Sequence, residues 1–235
     1  MPQVIAVTAL KGGVGKSTLA IHIASHFHHL KVRTLLVDSD SQGTCRGWAA
    51  IAVAGDRDTP PVVSMGPEMR KHLEKVSRGF DAVVIDTPPR LGSEQRAAMI
   101  VADFVLIPIT PGPADVWALQ ETLSLLDEAR ALRPEIGAAI VLNRVSPRTQ
   151  LHAATCDAVR ASEMQLLLPT VGNRVAFAEA IAAGQGVTQY AHASQAAVEI
   201  NELVVELRRQ LGGAVKAAAT DKLFDDLRKA VRAHG

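Results

Sequence analysis

The sequence predicts one α/β domain built on a doubly wound, mostly parallel sheet with helices on both faces. Three observations predict it. Short β-branched runs alternate with helix-length segments from residue 4 to residue 210, the pattern of successive βαβ units. A length of 235 residues suits one such domain and is short for two. Aromatic residues make up only 3% of a chain that is 48% apolar. The core must therefore come from Val, Ile, Leu and Ala, the usual filling of a parallel sheet between helices.

The first run, VIAVTA (4–9), reads as a buried strand, followed by a helix over 16–29. RTLLVD (33–38) is the second strand, with helices after it over roughly 44–53 and 66–77. AVVIDT (82–87), FVLIPI (104–109) and AAIVLN (138–143) supply three more strands, with helices over 93–102, 115–132 and 150–161. A weaker strand, MQLLLP (164–169), precedes helical stretches at about 174–183 and 193–210. Gly212-Gly213 should end the last helix. Beyond it Leu223, Phe224, Leu227, Ala230 and Val231 recur at helical spacing. Residues 1–211 are read as the domain, and 212–235 as a linker and amphipathic helix.

The formal net charge of +1 excludes a global basic field, so any nucleic-acid contact must come from a local patch. Cys45 and Cys156 match no metal-ligand spacing and read as reduced thiols of a cytoplasmic protein. The opening VIAV is too short for a signal segment, and no stretch approaches a membrane span.

ALKGGVGKST (9–18) carries the chemistry. It follows a strand and opens a helix, the context a phosphate-binding loop demands. Gly12, Gly13 and Gly15, with Val14 between them, let the backbone wrap closely enough for its N–H groups to face phosphate oxygens. The helix N-terminus adds donors and a favourable dipole. Lys16 is assigned to the β- and γ-phosphates, Ser17 to Mg²⁺ and Thr18 to the α-phosphate. The loop departs from G-x-x-x-x-G-K-[ST] at Leu10, which stands in place of the first glycine, and it contains a second lysine, Lys11. Asp38 and Asp40 end one strand and Asp86 ends another. Ligands of open parallel sheets sit outside the carboxyl ends of the strands, so these acids can converge on the loop, with Asp86 suited to hold Mg²⁺ directly or through water.

KGGVGKST, DSDSQGT and VIDTPP, in that order, resemble the ParA/MinD ATPases with a deviant phosphate loop, a branch of the SIMIBI-like P-loop NTPases. The likeness continues through IPITPGPADVWALQETL, IVLNRV and LLPTVGNRVAFAEAIAAGQGV and covers about residues 3–210. It is strongest to the small ParA proteins that lack an N-terminal helix-turn-helix. The resemblance implies that Lys11 reaches across a homodimer to the phosphates held by the other subunit, so that ATP holds the pair and hydrolysis loosens it. It implies that Asp40 orients the attacking water and that Asp38 and Asp86 serve Mg²⁺ from water-mediated positions. Asn143 matches the adenine-contacting position, and Pro169 to Val171 would line the base. Residues 87–92 match a switch responsive to the γ-phosphate. Ser41 replaces the family's usual proline, which bears on the stiffness of that loop. Hydrolysis should be slow alone, since no catalytic arginine is evident near the loop.

The resemblance further implies binding to non-specific DNA by the ATP-bound dimer, a nucleoid location, and a ParB-like or other small adaptor that stimulates hydrolysis. Phosphate neutralisation needs Lys or Arg. Arg144, Arg148 and Arg174 are the chosen DNA candidates, with Arg160, Arg208 and Arg209 considered beside them. The competing class is a MinD-like membrane-associated ATPase using the amphipathic tail, which Asp221, Asp225 and Asp226 oppose. A metabolic synthetase or kinase would need a second-substrate constellation, and none is found in 44–80 or 145–200. His22, His26 and His29 share a helix face that reads as solvated, and Trp117 reads as packed. Asp115 either caps its helix or faces the dimer interface. An iron–sulfur role for Cys45 or Cys156 is disfavoured, since neither adjoins DTPPRLG.

Overall fold

The computed structural model describes residues 1–146 and 149–212. The tail helix expected within 212–235, and Arg148, lie outside the described residues. In chain order the elements are β1 (Gln3–Val7), α1 (Lys16–His29), β2 (Thr34–Asp38), α2 (Thr44–Ala54), β3 (Val62–Ser64), α3 (Met69–Val76), β4 (Ala82–Asp86) and α4 (Ser93–Val101). There follow β5 (Phe104–Ile109), α5 (Pro113–Leu132), β6 (Gly137–Leu142), α6 (Gln150–Ala161), α7 (Val175–Ala182), α8 (Val187–Tyr190) and α9 (Gln195–Gln210). The six strands order as β3-β2-β4-β1-β5-β6, and every pairing is parallel.

Strand residues alternate between two cores, as the two-residue period of a pleat requires. Ile5, Val7, Leu36 and Val84 pack with α1, α2, α7 and α9 on one face. Val4, Ala6, Leu35, Val37, Val83 and Ile85 pack with α3, α4 and α5 on the other. Burial on both faces explains why these strands read as continuous apolar runs.

Several expectations are corrected. MQLLLP forms no strand: within it only Leu166 makes an isolated bridge, to Ile140 of β6, and a second bridge past the segment joins Val145 to Gly172. Between them Pro169 has no N–H to give the ladder, and Leu168 swings out to 94% exposure. β3 and α8 were not anticipated; at three and four residues they are too short to carry a periodic signal. Trp117 is 74% exposed, not packed.

The histidine face is also corrected. His22 and His26 are fully buried, because α7, α8 and α9 fold back across α1. Val187 N–H donates to His22 Nδ1 (3.1 Å), which leaves His22 Nε2–H to donate to Phe177 O (3.3 Å). His26 pairs through Nε2 with Asn201 Oδ1 (3.0 Å) and through Nδ1 with Thr188 Oγ1 (3.1 Å). Burial lowers both rings to about 4, against weaker opposing hydrogen bonds. A depressed histidine contributes stability that is complete above the unfolded value of about 6.5 and is lost as pH falls toward the folded one. The stability difference between wild type and His26→Gln should therefore shrink by roughly 2 kcal/mol between pH 7 and pH 5. Urea unfolding of both proteins at the two pH values measures it.

Candidate phosphate and magnesium site

The loop between β1 and α1 turns on two glycines in the left-handed region, Gly13 (φ 80°) and Gly15 (φ 89°), a conformation that only glycine adopts cheaply. Gly15 is the N-cap of α1. A Cβ placed there would come within 2.3 Å of Asn143 Nδ2. That amide donates to Val14 O (2.7 Å), so the end of β6 is fastened to the loop. Gly12 and Gly13 are exposed, Val14 is buried, and Ser17 and Thr18 are half-buried.

The two lysines of the loop go to different places. Lys16 is buried and its ammonium donates to Lys11 O (3.0 Å) across the loop. Burial lowers its pKa, while Asp86 and Asp40 pull the other way. Lys11 forms an ion pair with Asp115, near the start of α5. Asp115 is only 4% exposed against 35% for Lys11. Its other oxygen accepts from Thr110 N–H (3.3 Å), and no side chain caps α5. The choice left open for Asp115 is settled against a helix cap.

Val7, Asp38 and Asp86 share one row of the sheet: Asp86 pairs with Val7 on one side and Asp38 on the other. Asp38 accepts from Asp40 N–H (3.2 Å) and Arg46 N–H (3.0 Å). Asp40 accepts from Gln42 N–H (3.0 Å). Asp86 accepts on Oδ2 from the Cys45 thiol (3.4 Å). Its Oδ1 is buried and has no partner among the described residues. Burial pushes the Asp86 carboxyl up to about 7, against the neighbouring Ser17 hydroxyl and the Cys45 thiol. Burial, and then the carboxylates around it, push the Cys45 thiol well up, so it stays a donor.

The segment 87–92 is tied to the loop. Arg90 N–H donates to Leu10 O (2.9 Å) from a left-handed backbone (φ 80°). The Gln95 amide donates to both Ala9 O (3.3 Å) and Pro88 O (2.8 Å). Gln95 and Cys45 were not singled out as site residues. Each is a single polar residue inside a helical pattern, and only the fold places it against the loop or the acids.

A groove of about 350 Å³ opens beside Thr18 and is lined by Ile51, Asn143, Arg144, Gly172, Asn173, Arg174 and Phe177. Pro169 and Val171 do not line it. Val171 is 1% exposed and belongs to the core beneath, so the wall comes from Gly172 to Arg174 instead. Arg174, one of the DNA candidates, is bound to Glu199 at 2.6–3.0 Å through two guanidinium nitrogens, so its charge is partly matched within the chain. Arg160 and Arg209 are likewise paired, with Asp157 and Glu206. Arg144 is exposed and rims the groove.

The donors fit a magnesium ion held with a nucleotide. Among the described residues no three His, Cys, Asp or Glu side chains converge closely enough to hold a metal alone. Magnesium keeps several waters and takes the rest of its shell from phosphates and one or two protein oxygens. Ser17, Asp38 and the unpartnered oxygen of Asp86 suit that role.

A glycine loop at a helix N-terminus, an internal lysine and acids level with it define a magnesium-nucleotide site of the phosphate-loop class. Residues 5–187 match the family described as the CobQ/CobB/MinD/ParA nucleotide binding domain, and the chain belongs to that family. It is 32% identical over 206 residues to maintenance of carboxysome distribution protein A of Halothiobacillus neapolitanus, covering 86% of this chain and 95% of the relative. It is 25% identical over 252 residues to sporulation initiation inhibitor protein Soj of Bacillus subtilis, covering 88% and 98%. The fold matches cobyrinic acid a,c-diamide synthase from Mycobacterium smegmatis, solved with an ATP analogue and magnesium, at a TM-score of 0.74 and 19% identity over 91% and 97% of the two chains.

Gly15→Ala meets both a clash with Asn143 and a positive φ. The left-handed backbone alone costs about 1–2 kcal/mol, so ATP affinity should fall by about five- to thirtyfold. Titration with a fluorescent ATP analogue measures it.

Proposed function

We propose that the chain is a slow, magnesium-dependent ATP hydrolase that pairs with a second copy of itself when both hold ATP. The paired form binds DNA without sequence preference and positions a cargo in the cytoplasm, on the nucleoid. The observation that carries this reading is Lys11. Its side chain reaches sideways to Asp115, while Lys16 fills the interior of the loop. A second cation beside the loop, a third exposed and followed by the exposed Gly12 and Gly13, supports a role at another molecule's phosphates. Leu91 (57% exposed) and Trp117 (74% exposed) give the segments beside it apolar surface to bury.

In this reading the roles are those the family resemblance implies, and the positions are compatible with them. Lys16 and the loop N–H groups hold the β- and γ-phosphates, Ser17, Asp38 and Asp86 hold magnesium, and Asp40 orients the attacking water. Asn143, Gly172 and Asn173 receive the base side of the nucleotide. Arg144, Arg148 and Arg174 remain the candidates for DNA phosphates, with Arg174 partly matched by Glu199. The relative named for maintenance of carboxysome distribution favours a protein assembly as cargo over a plasmid or chromosome, with a small adaptor protein stimulating hydrolysis. Among the described residues no helix is long and apolar enough to cross a membrane.

Lys11→Ala should bind ATP within about threefold of wild type yet lose ATP-dependent dimers, and with them retention of DNA at low salt. Its turnover should fall by roughly 10³ or more, the scale of a trans-acting cation. Light scattering with ATP and Mg²⁺ decides, and persistent dimers refute the reading. Asp40→Ala should retain the dimer while hydrolysis drops by about 10²–10⁴, measured as phosphate release.

A further inference from the structure

The first turn of α2 grips both magnesium-side acids at once. Its N-cap is Gly43, and Cys45 and Arg46 are its second and third residues. Arg46 N–H donates to Asp38 Oδ2 at 3.0 Å, and the Cys45 thiol donates to Asp86 Oδ2 at 3.4 Å. Asp38 and Asp86 are register partners on adjoining strands, so one helical turn fixes the orientation of two carboxylates at the same edge. Cys45 is 0% exposed, and so is Asp86. The thiol bond occupies one oxygen of Asp86 and leaves the other, Oδ1, buried and without a partner among the described residues. A free carboxylate can rotate about its terminal torsion, which has a broad profile. Here the thiol on one oxygen limits that rotation.

We infer that Cys45 is a positioning residue for magnesium: its S–H holds one oxygen of Asp86 and thereby presents the other to the ion's water shell. The inference rests on the reading of this edge as a magnesium-nucleotide site. The competing role for a buried cysteine is that of a small apolar filler, which needs no donor. Groups that orient metal ligands from outside the coordination sphere typically govern affinity by about 10–100-fold. A thiol is a weak donor, so the lower end applies.

Serine and alanine are close in volume and differ in the hydroxyl, so Cys45→Ser and Cys45→Ala separate donation from filling. The affinity of the full chain for a fluorescent ATP analogue is measured in EDTA and across a Mg²⁺ titration, with melting temperature in EDTA as the folding control. In EDTA the three proteins should bind the analogue within about twofold of one another. The Mg²⁺ concentration for half-maximal tightening should rise about tenfold in Cys45→Ala and stay within about threefold of wild type in Cys45→Ser. Equal Mg²⁺ curves for all three, or equal shifts in both variants, overturn the inference while leaving the site reading intact. If wild-type affinity ignores Mg²⁺ altogether, the site reading fails and the inference with it. Should Cys45→Ala not fold, Cys45→Val fills the position without a donor and takes its place, with the same tenfold shift expected.

Discussion

The register of three neighbouring strands is the constraint on which the functional edge depends. β2, β4 and β1 are paired so that Asp38, Asp86 and Val7 stand in one row. The loop that leaves β1 therefore begins level with two carboxylates. A shift of one residue in either pairing would turn an acid toward the opposite face of the sheet, where α3 and α4 pack. Burial of both faces in continuous apolar packing makes such a slip costly, since each strand would move its whole apolar set. The chemistry at the edge inherits its precision from hydrophobic packing several residues away.

Around that row the electrostatics are poised, not relaxed. Lys16 lies buried beside Asp86, whose own burial disfavours ionisation, so Asp86 sits near neutral pH while Lys16 is lowered. A divalent cation with a nucleotide would reverse both tendencies by restoring the charged carboxylate. Lys11 is anchored differently, on a nearly buried carboxylate that also receives a backbone N–H. Removing the partner of a buried charge costs about 3–5 kcal/mol. The figure is lower here because Lys11 is a third exposed and solvent screens the pair. Any polyanion that draws Lys11 away must exceed what remains.

The glycine loop, the acids at strand ends and the five long strands were legible because each rests on local chemistry: positive φ, strand termini, β-branched runs. What was not legible depended on where the last third of the chain goes. His22 and His26 show a polar spacing on α1, yet the return of α7 to α9 covers them and supplies acceptors and donors for both rings. Val171 lies two residues from a proline and next to a glycine, which suggests a surface turn; its side chain instead faces the core while Gly172 onward forms the groove. Arg174 carries a charge whose partner, Glu199, is twenty-five positions away. Cys45 has no spacing signature, because it sits on α2 and its acid ends β4, forty-one positions away.

Arg90 holds a backbone conformation that disfavours side chains larger than glycine by about 1–2 kcal/mol, kept in place in part by its N–H bond to Leu10 O. The bond to Leu10 O therefore carries a backbone strain that a glycine at this position would not bear, which ties the segment after β4 to the glycine loop at a cost set by the side chain itself.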